Sequence, residues 1–242
     1  SGTERTGPSR SMVSAGVVVA IIVALGLILT ISNLLGGSGD PAAAPGPSAS
    51  PGRSSSSPGS LPAVPASVCG LDDAAETGTL TKAPAATWSL VGTTAAPTLT
   101  GAGPGRVDED GYRSCFARTP VGATLAAANF VAMGSVVAIQ HKVTDLSVVP
   151  GPGRDRALAR PVSGGGKAVR IQVAGVRVLR YTGTSADVDL AIRTSSGALA
   201  GQVFNLRWSA GDWKVELGAN GDLLTPIVQL PDLAGYIPWA GA

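Results

Sequence analysis

Few residues of this chain could do chemistry, and most of them read as structure. Asp187 and Asp189 are candidates for general acid–base work. However, strict alternation from Asp187 to Arg193 puts Val188, Leu190 and Ile192 on one strand face and these acids on the other, which is the pattern of a solvated face. Asp212 follows Ala210-Gly211 and reads as a turn residue rather than a base. His141 is the single histidine; it lies near the end of an expected helix and reads as a solvent-facing or capping residue rather than a catalyst. A serine nucleophile would need a base, and only that one histidine is on offer. Gly164-Gly165-Gly166-Lys167 is followed by Ala168, so it fails the phosphate-loop pattern, and Gly101-Ala102-Gly103-Pro104-Gly105 lacks the strand and helix of a dinucleotide loop. No catalytic residue, cofactor or metal site is expected.

Cysteine usage is more telling. The two cysteines, Cys69 and Cys115, most simply form one disulfide in an oxidising compartment. Metal binding would need more ligands than two thiols and one histidine. One further cluster is site-like: Arg154, Arg156, Arg160, Lys167, Arg170, Arg177 and Arg180 crowd into a short stretch. Of these, Arg154, Arg156, Arg160, Lys167 and Arg170 form a candidate surface for an anionic partner such as wall polymer, lipid headgroups, an acidic subunit or DNA. No aromatic platform is interleaved with them, so nucleic acid is not specifically supported. The net charge of +2 names no partner either. Near the C-terminus Ile227, Val228, Leu230, Leu233, Tyr236, Ile237 and Trp239 concentrate apolar bulk. They either close over the sheet, the favoured reading, or expose a docking patch centred on Tyr236, Ile237 and Trp239.

The compartment is set by the N-terminal third. Residues 12–35 carry no charge and exceed the roughly 20 apolar residues a helix needs to cross a hydrocarbon core of about 30 Å. Arg5 and Arg10 precede this run, and no base follows it until Arg53, so residues 1–11 are expected in the cytoplasm and the rest outside it. Ala42-Ala43-Ala44 resembles a signal-peptidase site. Against cleavage stand an apolar run longer than the about 7–15 residues of a secretory signal and Pro45 directly after the alanines. A single-pass anchor in the lipid bilayer of the cell membrane is therefore expected. Residues 36–66, almost all Gly, Ser, Pro and Ala, cannot bury enough apolar surface to offset ordering and are expected to form a disordered stalk.

Residues 67–242 are long enough for one domain with a core of its own. Thr87–Val91 is a strand candidate, and 95–111 reads as loop. Thr119 as N-cap and Pro120 at the first helical position open a helix through Met133, with Val121, Leu125, Ala128 and Ala132 on its packed face. A shorter helix falls within 136–149 and is broken at Pro150-Gly151-Pro152-Gly153. Strands follow at 169–181, with a bulge at Gly175, and at 187–193, 201–208 and 212–217, joined by hairpin-like turns. Helices followed by an antiparallel meander make the class α+β.

Within this order, Phe116-Ala117-Arg118-Thr119-Pro120-Val121-Gly122-Ala123, Val149-Pro150-Gly151-Pro152-Gly153-Arg154-Asp155, Val178-Leu179-Arg180-Tyr181, Leu206-Arg207-Trp208, Gly211-Asp212-Trp213 and Gly235-Tyr236-Ile237-Pro238-Trp239 resemble phrases of actinobacterial membrane-anchored proteins that accompany conjugative and integrative elements. That resemblance implies an outer domain similar to the nuclear transport factor 2-like cone, a helical hairpin wrapped by a curved antiparallel sheet. It further implies a non-enzymatic scaffold or assembly component of a conjugation, type IV secretion-like complex, self-associating and contacting other subunits. It carries no catalytic residues. Some cones are enzymes that place an acid, or a Tyr/Asp pair, in the cavity, so a carboxylate near Tyr112 or Tyr181 would count towards catalysis. A module binding a small ligand or wall component in the cavity is the alternative.

Overall fold

A computed structural model describes residues 64–71, 75–162 and 170–241. The expected cytoplasmic tail, the apolar run 12–35, nearly all of the stalk and Lys167 lie outside the described residues. Among those described, no single helix is long and apolar enough to cross a membrane.

The α+β order expected from the sequence is present. Strands β1 (Thr87–Val91) and β2 (Thr94–Thr98) form a hairpin, and β3 (Arg106–Val107) and β4 (Arg113–Ser114) a second, very short one. Helix α1 (Pro120–Gly134) follows, then a 3₁₀ turn (Val137–Ile139), α2 (Gln140–Ser147) and α3 (Pro152–Leu158). The rest is sheet: β5 (Ile171–Thr182), β6 (Ser185–Thr194), β7 (Leu199–Ser209), β8 (Asp212–Val215), β9 (Val228–Leu230) and β10 (Ile237–Pro238). The strands run β10-β5-β6-β7-β8, with β9 also paired to β7, as one curved antiparallel sheet.

Local chemistry explains the start of α1. Thr119 is extended, its hydroxyl accepts from the Gly122 N–H at 3.0 Å, and Pro120 has no N–H to leave unpaired. Burial runs further round α1 than the one-faced expectation. Ala123 to Asn129 are all buried, because the sheet takes one side and the β1–β2 hairpin the other. Asn129 marks that second contact: its amide donates to the Pro97 and Leu125 carbonyls, both at 2.9 Å. Residues 95–111, read as loop, thus include most of β2 and all of β3. The β2 centre, Ala-Ala-Pro, has little strand propensity, and pairing with β1 and packing on α1 determine its shape. Helix α3 was likewise invisible behind the proline–glycine run that precedes and opens it.

The sheet keeps its alternation. Val188, Leu190, Ile192, Phe204, Leu206 and Trp208 are buried in the main core with Leu125, Ala128 and Val131 of α1. The expected bulge is a register shift between Val173 and Gly175. A smaller cluster of Val91, Ala96, Tyr112, Met133, Ile139 and Val143 fills the space between the hairpins, the end of α1 and α2.

Candidate functional site

A cavity opens where α1, α2 and β8 converge, lined among others by Tyr112, Arg113, Phe130, Ser147, Asp212 and Trp213. Its volume is about 10 Å³, about the least that holds one water molecule. It contains the carboxylate-and-tyrosine combination named above as the mark of catalysis, so each group's partners decide what it can do. The Tyr112 hydroxyl is 3.1 Å from Ser147 Oγ, and burial raises its pKa.

Asp212 is no ordinary turn residue. Its Oδ2 accepts from the Cys115 N–H at 2.6 Å, and its Oδ1 from the Phe116 and Trp213 N–H groups, both at 2.9 Å. Burial raises its pKa against the pull of these three donors. Both oxygens are thus engaged by main chain. The backbone they hold is unusual, since Cys115 adopts φ 68°, a left-handed conformation that costs a non-glycine residue about 1–3 kcal/mol.

Cys115 is also bonded to Cys69, as the cysteine count implied, with the Cα atoms 6.2 Å apart. Around this disulfide the chain is fastened where it enters the domain. Trp208 Nε1 donates to the Pro65 carbonyl at 2.6 Å, and the Val68 N–H donates to Gly211 O at 3.0 Å. Gly211 must be glycine: its φ is +80°, and a Cβ there would sit 2.4 Å from Ala66 O. Pro65 and Ala66, at the end of the stretch expected as stalk, thus lie against this part of the sheet, with the buried indole of Trp208 taking the Pro65 carbonyl as its acceptor. On the next strand Trp213 Nε1 donates to Ala117 O at 2.9 Å, holding the residues that lead into α1.

The strand acids depart from the solvated-face expectation. Asp189 is only 4% exposed. Arg177 grips it from the neighbouring strand (Nε–Oδ2 2.9 Å), and Tyr236 donates its hydroxyl to the same oxygen at 2.9 Å. Arg177 also lies over the Tyr236 ring, 4.4 Å from its centroid. Burial, then the bond to Asp189, pushes the Tyr236 pKa up to about 12. Burial would raise Asp187, but hydrogen bonds from Arg180 and Asn205 outweigh it and hold its pKa below the usual value.

The outer face of the sheet is covered here because the C-terminal segment crosses it. β10 pairs with β5, the Trp239 N–H donates to Ala174 O at 3.1 Å, and its indole donates to Pro84 O at 3.0 Å. Trp239 is 4% exposed, with its ring 4.9 Å from that of Trp88, and Tyr236 is also buried, with Ile237 between them only partly covered. The candidate docking patch of Tyr236, Ile237 and Trp239 is therefore corrected: its two aromatic rings are core residues, and the tail closes the domain.

The basic stretch is likewise divided. Arg154 pairs with Asp145, Arg160 with Asp222 at 2.9 Å, Arg177 with Asp189 and Arg180 with Asp187. Of the residues read as one anionic-partner surface, Arg154 and Arg160 thus hold local ion pairs, Arg156 and Arg170 are exposed, and Lys167 lies outside the described residues. His141 is exposed on α2, the solvent-facing one of its two expected roles. Among the described residues no group of three or more His, Cys, Asp or Glu is placed to hold a metal ion. Sequence reading missed Arg113, which is buried beside the cavity; nothing in Tyr112-Arg113-Ser114-Cys115 distinguishes it from a surface arginine.

These features define a disulfide-fastened α+β domain whose helix α1 is enclosed between a curved antiparallel sheet and a hairpin. The chain belongs to the family described as a domain of unknown function (DUF8175), whose model matches residues 49–238. No curated protein and no solved structure matches it.

Proposed function

We propose that this protein is a non-enzymatic, membrane-anchored scaffold or assembly component of a conjugation, type IV secretion-like complex, with a nuclear transport factor 2-like domain outside the cytoplasm. The carrying observation is the state of the cavity. It has room for about one water molecule, and its one carboxylate, Asp212, has both oxygens engaged by backbone N–H groups. A general base must reach the proton it abstracts, and this one faces main chain. At that volume this cavity falls short of the about 300–1,000 Å³ of small-molecule sites, which weighs against a ligand held at this place.

The compartment reading rests on the uncharged run 12–35 with bases on its N-terminal side, and a disulfide suits that compartment. The partners are the bilayer, through residues 12–35, other subunits of the complex, and further copies of the chain. Crosslinking in native membranes followed by mass spectrometry tests this. Recovery of channel subunits is expected; recovery of the protein alone, or only with wall polymer, would contradict it.

A further inference from the structure

The sheet edges of this domain are closed in several ways, and β1 shows none of them. β10 carries Pro238, and β9 is 3 residues long with Pro226 and Pro231 on either side. β8 is covered, because Val148 bridges to Val215 and the Val149 N–H donates to Val215 O at 2.9 Å. β5 is bulged between Val178 and Arg180 where β10 leaves it. Proline, brevity, covering and bulges are the ordinary protections of an edge. β1, Thr-Trp-Ser-Leu-Val, has no proline, charge or bulge, and it pairs with β2 only. Its Leu90 is 78% exposed, the highest value for a large apolar side chain among the described residues.

The register shows what this edge offers. Pro97 has no N–H, stands opposite Trp88, and turns its carbonyl away from β1 to accept from Asn129. That pair is therefore a non-hydrogen-bonded one. Trp88, and Leu90 two positions on, must then aim their N–H and C=O groups away from β2. No hydrogen bond to these main-chain groups occurs among the described residues.

We propose that this edge pairs with the same edge of a second copy, antiparallel about a two-fold axis at Ser89, so that the two hairpins form one sheet. Trp88 of each copy then stands opposite Leu90 of the other. Every outward N–H meets a C=O, and each exposed leucine gains an aromatic cross-strand neighbour. Charge favours an identical partner: residues 87–98 carry no ionisable side chain, so two-fold pairing sets no like charges face to face. The axis is also uncrowded, because the Ser89 hydroxyl turns to Arg113 and accepts from its Nη2 at 2.6 Å. This interface rests on the self-association in the proposed function, for which it names the surface, and not on the link to conjugation.

The test measures molecular mass against concentration for the full chain in detergent. Wild type is expected to form a dimer. Leu90→Lys should weaken it about tenfold or more, by removing the apolar pair and setting a charge on the edge. Leu90→Pro should do the same, since it deletes an outward N–H that the hairpin does not use. Leu179→Lys, at another exposed leucine, should leave the dimer intact. Hydrogen exchange gives a readout without substitutions: protection of the Trp88 and Leu90 amides in wild type should rise as the dimer forms. An oligomer undiminished by the Leu90 variants, or formed with no added protection at these amides, would overturn this interface and leave self-association standing. A wild-type chain that stays monomeric would overturn both.

Discussion

The two ends of the folded domain are fastened to one sheet by opposite chemistries. The N-terminal end is held by a covalent bond, Cys69–Cys115, and by Asp212, whose carboxylate grips backbone. At the C-terminal end the β10–β5 pairing is joined by side chains gripping side chains: Asp189 with Arg177 and Tyr236, and Trp239 against Trp88. A backbone donor cannot turn away to find water, so losing its buried acceptor leaves it stranded. Arg177 is 42% exposed and can hydrate when its partner is lost. The difference teaches that burial of a carboxylate does not fix its energetic weight; the mobility of its donors does. It also fits the proposed architecture, in which the N-terminal end would take any pull from the membrane side.

This comparison predicts a ranking. Replacing both Cys69 and Cys115 by Ser is expected to cost most, about 4 kcal/mol from the chain entropy of the loop they close, measured by chemical denaturation. A loss near zero would show that the disulfide is incidental to the fold. Next comes Asp212→Asn. Its amide would turn an N–H₂ towards backbone N–H groups, and we expect a loss of about 3 kcal/mol. Asp189→Asn should cost less, about 1–2 kcal/mol, because its donors can reorient. If the two aspartate variants ranked the other way, the distinction between the two fastenings would be broken.

Smaller effects come from titration. Tyr181, whose hydroxyl donates to Ala75 O, and Tyr236 are both pushed up to about 12, by burial first in each case. A raised folded pKa means that each contribution is fully present below about pH 10, the unfolded value, and is lost as pH rises towards 12. Stability should therefore fall across that window. In Tyr236→Phe the fall should be shallower, though the variant starts from a lower plateau because Asp189 loses a donor. Asp187 gives the smallest effect and the opposite sign. Its pKa is lowered, so its contribution is present above about pH 4 and lost as pH drops through the folded value. Asp187→Asn should flatten the acid limb by less than about 1 kcal/mol, since Arg180 is largely exposed.

How much of this was readable in the sequence follows from how local each signal is. The cap and proline of α1, the alternation of β6, β7 and β8, the bulge at Gly175 and the cysteine pairing are written within a few residues or in a count of two. The partner strand β2 is not, because its five small residues become a strand only against β1 and α1. Asp189 was misread because alternation says which face a residue takes, not what later crosses that face. The covering segment, through Tyr236, arrives 47 positions on. Arg113 and Asp212 became notable only once the fold had removed water from one and aimed three backbone donors at the other.

The central claim is that the cavity's polar groups hold the domain together and do not act on a substrate. Tyr112→Phe tests it most directly, because the lost hydroxyl is bonded only to Ser147 Oγ and the ring remains in its cluster. Transfer frequency would be measured in strains carrying the wild-type gene, a deletion and Tyr112→Phe in place of the native copy. The account predicts that deletion abolishes transfer and that Tyr112→Phe matches wild type. Transfer unaffected by deletion, or reduced to the deletion level by a Tyr112→Phe protein that still accumulates in the membrane, would contradict it.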